Sequence, residues 1–366
     1  MAKPRTIELR FPSLGVVRRH SHERQYSAVS YPTPYAYNVR LADSLTNRLR
    51  GGSFTAVSAD SRPSSIVYRG RTLTFSSNAI TASRVGDSTD TDMSADASDM
   101  LRPALFQFSE AESQGNSIVA LVPHKDQYLL AFTATETWIQ MGDPLSGPRK
   151  RISDEVGIIG ADAWCVAHDM VYFLSSRGLY SVGADGTGLK ALSEDIIPQD
   201  LIGLTDTAAT LTYRHADRGV YIHLTDSPSW FVDVERGGFW PFDTSTTDSH
   251  LLVGPLRLGG SDSYGMVQRI HGIMAANSAD VTWRLVDGDT SEEACDNGKA
   301  AITSALADDG AWWRYVAAEG TWKAGRSETA WPRARAMWVV VWLSAESSWA
   351  YESVHLTVSE FGRWRG

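Results

Sequence analysis

The side chains that could carry chemistry are few and scattered. Nine histidines are spread over 366 residues; His20 and His22 lie near the chain start, while His124 and His168 fall at turn-like sites. Cys165 and Cys295 have no C-x-x-C partner and no histidines at metal-ligand spacing, so neither a disulfide framework nor a zinc site is expected. A nucleophile elbow, a P-loop, a dinucleotide fingerprint and H-E-x-x-H are all missing from the sequence. Glycoside hydrolysis would need two carboxylates about 5 to 9 Å apart across a cleft. Asp185, Asp226 and Asp233 instead fall in turn signals, and Asp185-Gly186-Thr187 reads as an ordinary Asp-Gly turn. The pattern predicts no catalysis, no cofactor and no metal.

Charged and aromatic clusters offer binding chemistry instead. The stretch NVRLADSLTNRLRGGS (38–53) brings Arg40, Arg48 and Arg50 together ahead of Gly51-Gly52. It reads either as a solvated loop or as an arm whose guanidiniums meet carboxylates on a neighbouring copy. Arg149-Lys150-Arg151 is the densest basic run. It could be a solvated turn pairing with Asp154 and Glu155, or a contact with a partner's acidic rim or with passing DNA. Net charge is −9, from 34 basic and 43 acidic residues, which argues against tight binding of nucleic acid by phosphate neutralisation. Nine of thirteen tryptophans lie between 283 and 364. They serve either a core built from large aromatics or a contact surface, with Trp322 and Trp331 the candidates for a channel or surface contact.

These residues need elements to position them, and most of the chain reads as short strands. Residues 64–77 give a hairpin around Arg69-Gly70-Arg71, and 117–143 give three strands. Residues 164–193 give strands at Val171–Leu174 and Leu179–Val182 and another beginning at Leu189, and 209–243 repeat the layout. Blocks of about four strands recurring at roughly 40 to 50 residues are the signature of propeller blades. Residues 86–100 carry five aspartates and predict an exposed loop. Residues 290–307 predict the one helix, with Thr290 and Glu293 as a capping box and Ala300, Ile302 and Leu306 on the apolar face. A hairpin around Ser344–Ser348 is expected to follow, with Trp338, Val340 and Trp342 on one face. The resulting expectation is an all-β propeller with a Trp-rich C-terminal β-region containing one short helix. Its parts are an extended arm over 1–60, blades over 61–275, and the Trp-rich region over 276–366, which could complete the propeller. A hydrophobic share of 43% suffices for a core. With no run of about 18 apolar residues, no membrane-spanning helix is expected. The N-terminus lacks an apolar h-region and does not read as a secretory signal, which predicts a chain made in the cytosol.

The stretch DQYLLAFTATETWIQMGDPLSGPRKRISDEVGIIGADAWCVAHDMVYFLSSRGLYSVGADG is similar to the central region of the nozzle and tail-hub (DNA-stabilisation) proteins of short-tailed phages. The likeness is carried by Thr135–Trp138, Ile152–Gly160, Val171–Leu174, Gly178–Tyr180 and Ala184–Gly186. YPTPYAYNVR followed by RLRGGS resembles the N-terminal arm of the same family. It spans about 11–55 and 117–193, weakens over 200–275, and does not reach the Trp-rich end. The resemblance implies a non-enzymatic β-propeller of the virion tail. Such a protein would assemble as a homo-oligomeric ring, a hexamer, below the portal and adaptor, and retain double-stranded DNA until ejection. A rival reading is a carbohydrate-binding tail-tip or fibre protein, and a glycan-degrading propeller is a third.

Overall fold

The computed structural model describes residues 4–10, 16, 35–37, 39–43, 48–51, 65–94, 96, 98–108, 116–197, 199–225, 228–260, 263–324 and 327–363. His20, His22 and Trp364 lie outside these, as does most of the expected arm. Contacts divide the chain into two compact units. One comprises Val57–Tyr213 and Val220–Ser227; the other comprises Met1–Ala56, Arg214–Gly219 and Pro228–Gly366.

The first unit is built from up-and-down four-stranded sheets. One runs Ser65–Tyr68, Arg71–Ser76, Ala79–Ala82, Ala104–Gln107. The next runs Ile118–His124, Tyr128–Thr133, Thr137–Met141, Arg149–Ser153, and a third Trp164–Ala167, Met170–Ser175, Gly178–Gly183, Lys190–Ala191. Later in the chain, and not confined to this unit, a fourth sheet has the same strand order, Thr210–Arg214, Gly219–His223, Ser229–Asp233, Phe239–Phe242. Four consecutive antiparallel meanders of one strand order make the fold all-β and propeller-like.

Local chemistry explains why the blades repeat although their sequences do not. The first hairpin of each of the first three blades turns on two residues with positive φ: Arg69 and Gly70, Lys125 and Asp126, His168 and Asp169. Two left-handed residues match the twist of the flanking strands. These turns also touch one another in sequence order. The Arg69 amide donates to Asp126 (3.0 Å), Lys125 pairs with Asp169 (2.5 Å), and His168 Nε2 lies 2.7 Å from the Tyr213 hydroxyl. In the last hairpins, Asp143, Asp185 and Asp233 each accept the amide two residues on, at 2.8, 3.0 and 2.9 Å. Asp185 thus fills the ordinary turn role expected of it.

The aspartate-rich loop is exposed and is pinned at its base by Arg71, which is fully buried. The Arg71 guanidinium donates to the carbonyls of Ser83, Met100 and Arg102 at 2.9, 3.0 and 2.6 Å. Its Nε lies 3.8 Å from an Asp143 carboxylate oxygen.

The second unit holds two larger sheets. A five-stranded sheet runs Ala36–Tyr37, Ser249–Arg257, Trp338–Ala345, Val281–Gly288, Val316–Trp322. A seven-stranded sheet centres on Ser263–Met274 and Trp349–Arg363. Glu328–Ala330 and Ala334–Ala336 pair with the first of these strands, and Arg5–Arg10 and Arg48–Gly51 with the second; Val39–Asp43 extends the edge. The hairpin expected around Ser344–Ser348 does not form. Trp338–Ala345 and Trp349–Arg363 enter different sheets, because each finds its longest partner far away in sequence.

The helix spans Ser291–Leu306, with Thr290 as its N-cap. The Glu293 amide donates to Thr290 Oγ1 (3.0 Å), while the Glu293 carboxylate accepts the Asp289 amide (2.9 Å), one residue before the cap. Ala294, Cys295, Gly298, Ala301 and Ile302 form its buried stripe against Leu252, Val286, Val340 and Trp342. The expected apolar face is corrected accordingly. Ile302 belongs to it, Ala300 is only half-buried, and Leu306 is 40% exposed because it lies past the edge of the sheet core. A Cβ on Gly298 would stand 2.9 Å from Leu252 Cδ1 and 3.1 Å from Val340 Cγ2, so glycine lets the helix lie close to the strands.

Candidate functional site

The basic cluster lies on an edge strand, Arg149–Ser153, and not in a turn. Strand alternation sends Arg149 and Arg151 to one side and Lys150 to the other. Arg149 Nε donates to Gln140 Oε1 (2.7 Å) and its Nη2 to the Pro144 carbonyl (2.8 Å), with the guanidinium 4.6 Å from the Phe106 ring centre. Arg151 lies 5.6 Å over Trp138 and 3.8 Å from the buried Glu136 carboxylate. Glu155, expected as a partner, pairs instead with Arg177 at 2.7 Å. Two of the three cations therefore hold the blade together, and Lys150 is exposed.

Arg40, Arg48 and Arg50 occupy backbone positions in the seven-stranded sheet: Arg40 opposite Arg50, Arg48 opposite Asp43, and Arg50 also opposite Ala350. This part of the expected arm pairs within its own chain. Of the tryptophans, Trp322 is buried (1% exposed), its ring centre 6.2 Å from that of Trp283 and its six-membered ring covering Gly272. It is a core residue and not a surface contact. Trp331, at 67% exposed, is on the surface.

Sequence reasoning missed a cleft of about 690 Å³ on the five-stranded sheet. One face of that sheet is apolar where the helix covers it. Beyond the helix C-terminus, at Ala305 and Leu306, the same face continues uncovered and turns polar. Register places His250 opposite Ser344, Ser344 opposite Thr282, and Thr282 opposite Thr321. These four form the floor of the cleft, in one row across four strands. The next row, toward the helix, contains Trp342 and Arg284.

Arg284 is held rigidly. Its guanidinium carbon lies 4.4 Å from the Trp312 ring centre and 4.3 Å from that of Trp342, in the corner formed where these two rings meet edge to face, their centres 6.2 Å apart. Its Nη1 donates to Ser344 Oγ (2.9 Å) and its Nε to Glu319 (3.3 Å). The Trp342 indole N–H donates to His250 Nδ1 at 3.2 Å, which fixes the neutral imidazole with its proton on Nε2. Burial, with the Arg284 charge second, lowers the His250 pKa to about 4, so the ring is neutral at neutral pH. Asp280 pairs with Lys323 (2.9 Å) on one wall, and Asp248, Asp308 and Glu346 stand on the others.

Among the described residues, His250 makes no hydrogen bond to a hydroxyl. Burial raises the Cys295 thiol to about 12, keeping it protonated and inert. No group of three metal-ligating side chains exists among the described residues, and none of their helices is long and apolar enough to cross a membrane. The only local hints of the cleft were polar side chains at alternate positions of apolar strands, His250 before Leu252 and Thr282 with Arg284.

No protein-family model and no curated protein matches the chain. Among solved structures it is similar to the extracellular domain of a hybrid two-component system of B. thetaiotaomicron (TM-score 0.32, 11% identity, 50% of this chain and 26% of that one). It is also similar to the extracellular domain of a one-component system of B. thetaiotaomicron (0.29, 12%, 51% and 24%). A third is the AfRom2 CNH domain (0.30, 11%, 63% and 80%). The chain spans about a quarter of the length of the first two.

Proposed function

We propose that the chain is a structural component of a short-tailed phage tail, a nozzle or hub whose propeller-like sheets help form the DNA exit channel. One observation carries this reading. The stretch resembling that family, 117–193, makes two consecutive blades, and its motif residues serve as blade fasteners. Thr133 Oγ1 caps the turn at Glu136 (2.9 Å), Thr137 Oγ1 donates to the Val156 carbonyl (2.6 Å), and the Ile158 amide donates to the Thr133 carbonyl (2.9 Å). A Cβ on Gly157 would meet the Thr133 carbonyl oxygen at 2.2 Å, so that connection requires glycine. Motifs spent on joining blades suit a mechanical protein. Its partners would be further copies in a hexameric ring, the portal and adaptor above, and double-stranded DNA in transit. Gold-tagged antibody against the chain on intact virions tests this: label at the tail below the head supports it, and unlabelled virions overturn it.

A second reading, carbohydrate binding by surface tryptophans at a tail tip or fibre, is favoured by Trp313 and Trp331, 63% and 67% exposed. Antibody label on projecting fibres would favour it over the first.

A further inference from the structure

We propose that the cleft beyond the helix C-terminus is a binding site for a neutral saccharide, at a place distinct from the exposed tryptophans. Its volume, about 690 Å³, lies in the range of small-molecule sites. The floor is polar where the rest of that sheet face is core. His250 is only 8% exposed, and its Nε2–H has no hydrogen-bond partner among the described residues. That N–H reaches the open cleft, where a ligand hydroxyl can accept from it.

The neighbouring groups define the rest of the ligand. Ser344 Oγ accepts from Arg284, which leaves the serine proton to donate, and the Thr282 and Thr321 hydroxyls can donate or accept. A sugar hydroxyl both donates and accepts, and a floor of alternating imidazole and hydroxyl groups answers both needs. Because Arg284 sits against Trp312 and Trp342 and bonds Ser344 and Glu319, the floor is preorganised, which lowers the entropy lost on binding. Ala305 and Leu306 give a small apolar ledge for the C–H face of a ring.

Charge sets the sign of the ligand. Four carboxylates, Asp248, Asp280, Asp308 and Glu346, face the cleft against two cations, Arg284 and Lys323. The helix C-terminus adds the negative end of its dipole, with no basic residue in the last turn. Phosphates, sulfates and uronates are repelled; uncharged sugars are not.

The test is saturation-transfer NMR and calorimetry on the full chain with glucose, galactose, N-acetylglucosamine and maltose, and glucuronate as the anionic control. Saturable binding of at least one neutral sugar is expected. Thr282→Val and Ser344→Ala should each weaken it about tenfold, with circular dichroism showing that both variants fold, and Trp331→Ala should leave it unchanged. Failure of all the neutral sugars to bind overturns the proposal. So does preference for glucuronate, binding that survives both floor variants, or binding lost in Trp331→Ala.

Discussion

Burial keeps His250 neutral, and that has a thermodynamic consequence at acid pH. The folded ring protonates near pH 4, against 6.5 for an unperturbed histidine. Between these values the unfolded chain holds the extra proton, so stability falls as pH drops through that window and this contribution is flat below it. The effect is on the order of 3 kcal/mol. His250→Asn keeps an acceptor near the Trp342 indole and removes the titration. Urea melts at pH 7 and pH 4.5 should therefore differ less in this variant than in the wild-type chain. Arg71 is the other decisive buried residue. Arg71→Met would strand the carbonyls of Ser83, Met100 and Arg102 and leave Asp143 without its cation. A loss of about 3 kcal/mol is expected in urea denaturation, with new protease cleavage in 86–100. Arg71 was not legible as a core residue, since arginine beside a hairpin glycine looks like surface.

At the scale of elements, the helix joins a good cap to a poor interior residue, and the two can be separated. Thr290→Ala should cost about 1 kcal/mol, through loss of the Glu293 amide's acceptor. Gly298→Val should cost about 1 to 3 kcal/mol despite better backbone propensity, because its side chain must push against Leu252 and Val340. Thermal melts of both variants check the pair; a Gly298→Val chain more stable than wild type would show that the helix can lift off the sheet freely. The cap was readable because it is written within four residues. The blade strands from 117 to 243 were readable for a similar reason, as their turns are set by neighbouring Asp, Gly and Lys residues. The parting of Trp338–Ala345 from Trp349–Arg363 was not, because partners about ninety residues away decide it. The cleft was hidden by the same logic. Each of its strands contributes one or two polar residues, and only register places them side by side.

At the scale of the whole molecule, the arginines of the N-terminal segment give the assembly reading a direct test. Arg48 and Arg50 pair through their backbones inside the seven-stranded sheet. Exchanging both for glutamate should leave circular dichroism and melting unchanged but reduce incorporation into tails; normal incorporation would remove these residues from the assembly contact.

The seven-stranded sheet also dictates when the protein can finish folding. Arg5–Arg10 pairs along its whole length with Trp349–Arg363, Arg5 opposite Val358 and Arg10 opposite Ser353. The earliest described strand to leave the ribosome must therefore wait for the last. Blades made from consecutive strands can form during synthesis, but this sheet closes only after translation has passed residue 363. Until then its exposed edges are open to the wrong chain, and slower translation late in the message would lengthen that exposure.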